Sequence, residues 1–548
     1  MSEQEWWSDW LGEPPEIPEE SITETIISDV VVCGGGNAGM NVAKAAAEHG
    51  ASVSVLEKQK RENYRFIGEQ IGHFNSNWLR RHGVPDVDVG EVVDEFQKRS
   101  GNRSNAVLIS QYVRNSGEMF DSLVDLVPKD HPMFKTVNIQ INGESIQKYP
   151  YIQSGYRTWS VTACFRRKIL DQPVGGVAAM SYLTDLNMYS VRYAEELGAK
   201  WYFDTNCVVL IRQDGRVTGC IARCGAGKYM RFVARKGVAL CCGDFAGNNK
   251  MCVALLDEVR ECARINGMDL RMLRGPGQDG SGIRMGCWAG GHMEPPPRAC
   301  QALGRLGGSL GATAMLALNC QGKRFCDESS TPAVFPSMIR QPPGKIAGLF
   351  DNRWLEYLKH LGVDHYQPDF GVPQYIEQAQ EDMKKAVEAG AEGYPVRRIA
   401  ATERNSYSRF YAAGTLPELA DYLGYEGKDK ETFLREIARY NEICRAGRDE
   451  YFGKAKRYLW PLEEPPYFGT LAYNTKPDIG LVTLTGLVTD EHHQVLGSDG
   501  KTPIPGLYAS GNCMGGRYAL NYSTPCAGNS IGMAMTHGRL LGKYLADL

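Results

Sequence analysis

Gly34-Gly35-Gly36-Asn37-Ala38-Gly39 stands between a short apolar run, Val30 to Cys33, and a stretch of good helix formers from Met40 to Glu48. Glycine at three of these positions has a chemical use. Gly34 permits a tight turn, Gly36 lets a pyrophosphate approach the backbone, and Gly39 lets helix and strand pack closely. A helix that begins at such a turn offers free N–H groups and the positive end of its dipole to phosphate. Glu57 lies 23 residues after Gly34, at the carboxyl end of a second apolar run from Ala51 to Leu56. Its carboxylate is placed to accept hydrogen bonds from a ribose diol. Strand, helix and acid in this order point to a bound dinucleotide, which the glycine spacing alone does not.

Other chemically capable residues are dispersed. The chain has sixteen Cys, and its closest groupings (Cys220 with Cys224, Cys241 beside Cys242, Cys320 with Cys326) lack zinc or ferredoxin spacing. They read as buried free thiols of a reducing cytoplasm, with no metal site expected. His492-His493 follows Asp490-Glu491 and reads as a solvated loop; Cys513 reads as a packed thiol.

These groups need a scaffold. Val208 to Ile211 and Val217 to Ile221 flank Gln213-Asp214-Gly215-Arg216, which predicts a hairpin with a type I′ turn. Val238-Ala239-Leu240 predicts a buried strand running into the Cys241-Cys242-Gly243-Asp244-Phe245 turn. Ile283, Met285 and Trp288 show helical spacing within the glycine-rich stretch from Gly277 to Gly291. Tyr375 to Ala389 and Lys430 to Arg445 predict helices in a charged middle region. Ile504 to Ser510 predicts a strand, Gly511-Asn512 its turn, and Asn529 to Leu548 an amphipathic last helix capped by Ser530 or Asn529. The expected class is α/β with an α+β cap. Residues 1–27 form an extension, 28–292 and 446–548 a Rossmann-type domain, and 293–445 an inserted smaller capping domain. Trp6, Trp7 and Trp10 in the extension read as a strap packed on the body.

Composition excludes other classes. Lys and Arg total 61 against 64 Asp and Glu, a net charge of −3, so no basic footprint for nucleic acid is present. No apolar run approaches the ~20 residues of a membrane-spanning helix. Lys44 is the first basic residue, so the positive start of a secretory signal is missing, which reads as cytoplasmic.

Taken together in order, these segments resemble the fumarate reductase and succinate dehydrogenase flavoprotein family, its soluble members and the 3-oxosteroid dehydrogenases. The resemblance runs from Asp29 to Leu548. It rests on the Gly34–Glu57 fingerprint, Val238 to Asn248, Gly277 to Gly291, Gly322-Lys323-Arg324-Phe325 with Asp327 and Glu328, Arg439-Tyr440-Asn441, and Gly506-Leu507-Tyr508 to Gly532. It implies a Rossmann-type FAD domain and a cap, with substrate held between them against the flavin. FAD would be held noncovalently by Gly34, Gly36, Asn37, Ala38 and Gly39 at the pyrophosphate and by Glu57, with Lys58 beside it, at the ribose. Val208, Cys242, Gly243, Asp279, Gly511, Asn512, Ser530 and Ile531 match further cofactor positions. His73 stands near the place where membrane-complex relatives attach FAD covalently, in surroundings that match poorly.

The resemblance departs at the catalytic positions. His292-Met293-Glu294-Pro295 displaces one dicarboxylate-binding histidine; Leu481-Val482-Thr483-Leu484 replaces the other. Tyr522-Ser523-Thr524-Pro525-Cys526-Ala527-Gly528 replaces a carboxylate-binding Asn-Arg segment. Losing cationic anchors weakens dicarboxylate binding, so fumarate is not the expected substrate. Gly528 to Thr536 is similar instead to 3-oxosteroid dehydrogenases, where a tyrosine holds the substrate ketone. Thr524 takes that tyrosine's aligned place, with Tyr522 two residues upstream and Tyr518 close by.

The implied reaction is hydride transfer between flavin N5 and the β-carbon of an enone, with a proton delivered to the α-carbon. Tyr522 is the first candidate acid, then Arg353 and Tyr518; Glu328 is a candidate proton relay by family analogy. The substrate would be a small enone-like molecule, bulky and mostly apolar, steroids among them. A 3-oxosteroid desaturase and a noncatalytic electron-carrying subunit are the alternatives. No second glycine fingerprint marks a nicotinamide domain, so the electron donor or acceptor is open.

Overall fold

The computed structural model describes residues 6–548 apart from 69, 137, 140–156, 166–181, 276, 299, 303–313, 330–336, 359–372, 398–406, 476–478, 521, 523 and 524. One sheet has the spatial order Gln494–Leu496, Pro503–Ala509, Tyr229–Leu240, Ile22–Cys33, Val53–Leu56, Lys200–Tyr202. Along this path the pairs are parallel except Gln494–Leu496 on Pro503–Ala509, and the strands Thr205–Gln213 and Arg216–Cys224 complete the sheet as an antiparallel hairpin joined to Tyr229–Leu240. Val30–Cys33, Val53–Leu56 and Val238–Leu240 are wholly buried. Continuous apolar runs of this kind suit parallel strands covered on both faces.

Ile22–Cys33 begins earlier than the composition of the amino-terminal extension suggests. Its first half pairs with Tyr229 to Ala234 and is largely exposed. Ile22, Thr23, Thr25, Ile26 and Ile27 are β-branched and favour the extended ribbon, although acidic and proline-containing neighbours disguise the pattern. Ahead of it the strap docks as expected. Trp6, Trp7 and Trp10 pack against the core, Arg284 donates to the Leu11 carbonyl at 2.9 Å, and Trp288 Nε1 donates to the Gly12 carbonyl at 3.0 Å.

The helix Asn37–Glu48 follows the first strand, and the last helix, Asn529–Asp547, lies against it. The two backbones nearly touch. A Cβ on Gly538 would sit 2.3 Å from the Ala38 carbonyl oxygen, and one on Gly542 would sit 2.4 Å from that of Val42. Glycine inside a helix costs about 1 kcal/mol relative to alanine, and here it allows the close approach. The hairpin Thr205–Gln213 with Arg216–Cys224 turns at Asp214 (φ 50°) and Gly215 (φ 80°), the two left-handed residues that a type I′ turn requires.

A second, antiparallel sheet has the order Leu316–Leu318, Lys345–Phe350, Tyr467–Tyr473, Tyr407–Ala413, Tyr394–Arg397. Helices Pro373–Ala389 and Gly427–Ala446 accompany it. Its middle strand, Tyr467–Tyr473, lies beyond the boundary at 445 read from composition. Among the described residues no helix is long and apolar enough to cross a membrane.

Candidate active site

Three turns meet at the carboxyl ends of three adjacent parallel strands, where open α/β sheets bind ligands. The first is the glycine turn after Cys33. Gly34 has φ +98°, and a Cβ there would lie 2.6 Å from the Cys241 carbonyl oxygen. A Cβ on Gly39 would lie 1.9 Å from the Gly34 carbonyl oxygen, whereas one on Gly36 would meet nothing within 4 Å. Tight turn, close packing and an open approach thus fall on the three glycines as their spacing implies. Gly36 caps the helix Asn37–Glu48 without a side-chain hydrogen bond, which leaves first-turn amides for an anion.

Glu57 is buried beside this turn. Its Oε2 accepts from the Gly35 N–H at 3.0 Å and its Oε1 from the Gln59 N–H at 2.8 Å. Each oxygen keeps a further lone pair, so the carboxylate is oriented and still able to accept from hydroxyls. The Asn37 side chain is committed to structure: it donates to the Ile67 carbonyl at 3.1 Å and accepts from Asn187 at 2.9 Å. Its backbone is what remains for a ligand. Thr205 N–H donates to the Glu57 carbonyl at 3.0 Å, which pins the start of the strand carrying Val208 to the same corner.

The second turn holds Cys242 and Gly243, and the third Gly511 to Cys513. Cys242 Sγ donates to the Cys33 carbonyl at 3.2 Å, and Cys513 Sγ to the Gly243 carbonyl at 3.1 Å, lacing the turns together. A Cβ on Gly511 would lie 2.9 Å from the Ala38 Cβ. Asp279 precedes the helix Ser281–Trp288, whose Gly282 packs on Cys242 and Cys513. Burial pushes the Asp279 carboxyl up, but the Ser281 N–H and hydroxyl and the charge of Lys58 outweigh it, holding the group below the usual range. Lys58 itself is exposed.

Ser530 and Ile531 open the last helix. Neither Asn529 nor Ser530 caps it, contrary to the sequence-based expectation: Gly528, in the left-handed region, is the cap residue and makes no side-chain bond. Asn529 instead donates to the Tyr518 hydroxyl oxygen at 3.1 Å. The side chain of Ile531 fills the space against Gly68, next to Ile67 and the glycine turn's Asn37.

Tyr518 and Tyr522 are brought together, rings 5.3 Å apart and edge to face. Burial pushes the Tyr518 phenol up to about 12, although Arg517 and hydrogen bonds from Asn529 and Ser530 pull the other way. Thr524 lies outside the described residues. Glu328 and Arg353 are engaged in ion pairs beside the second sheet. Glu328 accepts twice from Arg324 at 2.9 Å and lies 3.1 Å from Lys454. Burial raises its carboxyl, but Lys454 and Arg324 outweigh that, so it stays ionised. Arg353 donates to Asp351 at 2.7 Å and to the Pro461 carbonyl at 3.0 Å, with Glu464 at 3.5 Å.

Several residues were not legible from spacing. Arg517 is wholly buried, donating to Asn512 Oδ1 at 2.9 Å and to the Met514 carbonyl at 3.1 Å, with no hydrogen-bond partner for Nη1 among the described residues. An arginine directly after Gly515-Gly516 in an apolar segment was the available signal. His493 is buried with Nε2 3.1 Å from Gln111, so the loop is only half solvated; the ring packs near His537 because the adjoining strand Gln494–Leu496 joins the sheet. His73 is buried and stacked on Phe120 at 3.6 Å.

The open face of Gly36, two helix starts without side-chain caps, the twice-anchored Glu57 and the spare donor of Arg517 fit a dinucleotide rich in acceptors. Comparison with known proteins agrees. Residues 29–531 match the FAD binding domain family. The chain is 25% identical to the NADH:acrylate oxidoreductase of Vibrio harveyi over 96% of its own length, and spans 51% of that longer protein. It is 24% identical to the vinyl phenol reductase of Lactiplantibacillus plantarum, covering 95% of this chain and 96% of the other. The solved 3-ketosteroid-Δ4-(5α)-dehydrogenase of Rhodococcus jostii RHA1 superposes with a TM-score of 0.65 at 21% identity, covering 97% of this chain and 99% of that one. The chain belongs to the FAD binding domain family, as a fumarate reductase-like, FAD-dependent oxidoreductase.

Proposed function

We propose that this flavoenzyme reduces a carbon–carbon double bond next to a carbonyl in a bulky, mostly apolar substrate, with the second sheet as a cap over the FAD domain. The observation that carries the reading is the Tyr518–Tyr522 pair, set beside the start of the last helix with Tyr518 held protonated. FAD, when bound, supplies the hydride. The chain supplies the rest. A tyrosine hydroxyl donates to the substrate carbonyl oxygen or delivers the proton to the α-carbon, and Tyr522, half-buried, is the first candidate. The N–H groups that open the last helix at Asn529 and Ser530 stabilise negative charge placed before them.

Charge around the cap favours this substrate class over a dicarboxylate. Arg353 is neutralised by Asp351 and Glu464, and Arg324 by Glu328 and Asp449, so neither is a free cation for a carboxylate. Glu328 therefore serves the proposal as an ionised strut of the cap. Reduction is favoured over desaturation because the two relatives compared in sequence are named for acrylate and vinyl phenol reduction.

FAD is proposed to be noncovalent, since the His73 ring is taken up by Phe120. The buried free thiols suit a reducing cytoplasm. The test is anaerobic: the reduced holoenzyme is mixed with enones, aromatic acrylates and fumarate. Return of the yellow oxidised flavin with the first two, but not with fumarate, supports the reading; the reverse pattern refutes it.

A further inference from the structure

Cys33, Cys207 and Cys220 are distant in the chain and adjacent in the fold. The first strand ends at Cys33, and the hairpin strands that carry Cys207 and Cys220 pair beside it through Tyr229–Leu240. Their three Sγ atoms all lie within 4.8 Å of one another, with Cys33 and Cys220 at 4.0 Å, and all three residues are buried. Met285 adds a fourth sulfur, its Sδ 3.5 Å from Cys207 Sγ. Among the described residues this is the one group of three or more His, Cys, Asp or Glu side chains close enough to share a cation.

The trio differs from several other thiols near the cofactor turns. Cys242, Cys252 and Cys513 each donate to backbone carbonyls. Cys33 and Cys220 have each other, and Cys207 has Met285, so sulfur faces sulfur. The trio belongs to an apolar cluster that includes Val31, Val217, Ala222 and Leu240, and among the described residues no His, Asp or Glu joins the group.

We propose that Cys33, Cys207 and Cys220, with Met285 alongside, form a site for one soft monovalent cation, Cu(I). A metal–sulfur bond of about 2.3 Å puts the sulfurs of a trigonal site about 4.0 Å apart, the spacing Cys33 and Cys220 already have. Thiolate and thioether ligands without oxygen select Cu(I) over harder ions. Each cysteine that ligates releases its proton to solvent, so binding weakens as pH falls. Because the strand bearing Cys33 runs directly into Gly34, the cation would lie beneath the dinucleotide turn and stiffen it without touching the phosphates.

The FAD-loaded protein, kept anaerobic, is titrated with Cu(I) in the presence of bicinchoninate. The expected result is removal of one copper per chain from the chelator, with X-ray absorption showing sulfur ligands only. The C207A/C220A variant, checked by its far-UV spectrum and retained yellow colour, is expected to take none. Failure of the native protein to compete for copper, nitrogen or oxygen ligands in the absorption spectrum, or copper retained by the folded double variant would each overturn the proposal.

Discussion

The Asn529 amide donates to the Tyr518 phenolic oxygen at 3.1 Å, which joins the first residue of the last helix to the aromatic end of the preceding turn. A phenol oxygen that accepts in this way keeps its own O–H for another partner. Tyr522 lies edge-on to the same ring, so both candidate donors are oriented from one corner.

Tyr522→Phe is expected to lower turnover by about 10²–10⁴-fold while FAD content and substrate affinity stay close to native. Steady-state kinetics on the holoenzyme read this directly. If Tyr518→Phe shows the loss and Tyr522→Phe does not, the acid is Tyr518.

The pH profile gives a second check. With its phenol pushed up to about 12, Tyr518 remains protonated past the point, about pH 10, where an ordinary tyrosine ionises. The dependence of kcat/KM on pH is therefore expected to show no alkaline limb from this group below about pH 10. A limb that appears earlier and vanishes in Tyr518→Phe would contradict the assignment.

Gly36 and Gly39 make opposite predictions from one turn. Gly39→Ala forces a Cβ to within 1.9 Å of the Gly34 carbonyl oxygen and is expected to cost about 1–3 kcal/mol of stability or more. Gly36→Val meets open space, so the cofactor-free fold should melt near the native temperature while FAD affinity drops. Thermal melts with and without added FAD separate the two.

Glu57→Gln replaces an acceptor oxygen by an NH₂ group facing the Gly35 or Gln59 N–H. An unsatisfied buried donor costs about 1–3 kcal/mol of fold stability, and losing one charge-assisted hydrogen bond to the ribose, about 1.5–3 kcal/mol, corresponds to roughly 10- to 150-fold weaker FAD binding. Equilibrium dialysis against FAD measures it; unchanged affinity would mean the carboxylate only shapes the turn.

Glu328 links the cap to acid stability. Its folded-state carboxyl titrates below the unfolded value, so its contribution is fully present above an ordinary glutamate pKa of about 4.3. It is lost as pH falls through the depressed folded value. Glu328→Gln leaves Arg324 and Lys454 short of an anion and is expected to cost about 3–5 kcal/mol at neutral pH, with the native-to-variant difference shrinking in acid. Denaturant melts at neutral and acid pH test both halves.

The legible parts of the molecule are those set by local sterics. Gly34 and the Asp214-Gly215 turn have left-handed backbones, Gly39 is fixed by close packing, Gly36 leaves an open approach, and the apolar run Val30 to Cys33 is buried in the sheet, so each leaves a local mark in the sequence. The Cys33–Cys207–Cys220 cluster was not legible, because strand pairing across nearly two hundred positions assembles it and no periodicity records it. Glu328 and Arg353 are candidates by family motif, and what holds them in place was not legible: Lys454, which pairs with Glu328, and Pro461 and Glu464, which meet Arg353, come from a later segment folded back onto the second sheet. Burial of His493 was hidden likewise, since its charged neighbours dominate the local pattern.

The most direct measurement is anaerobic stopped-flow reoxidation of the FAD-reduced enzyme by a bulky enone, native against Tyr522→Phe. The expected result is rapid return of the yellow flavin in the native protein and a large slowing in the variant with FAD still bound. Native enzyme that stays reduced with every enone yet is reoxidised by fumarate would contradict the reading of a weakly charged, tyrosine-lined site.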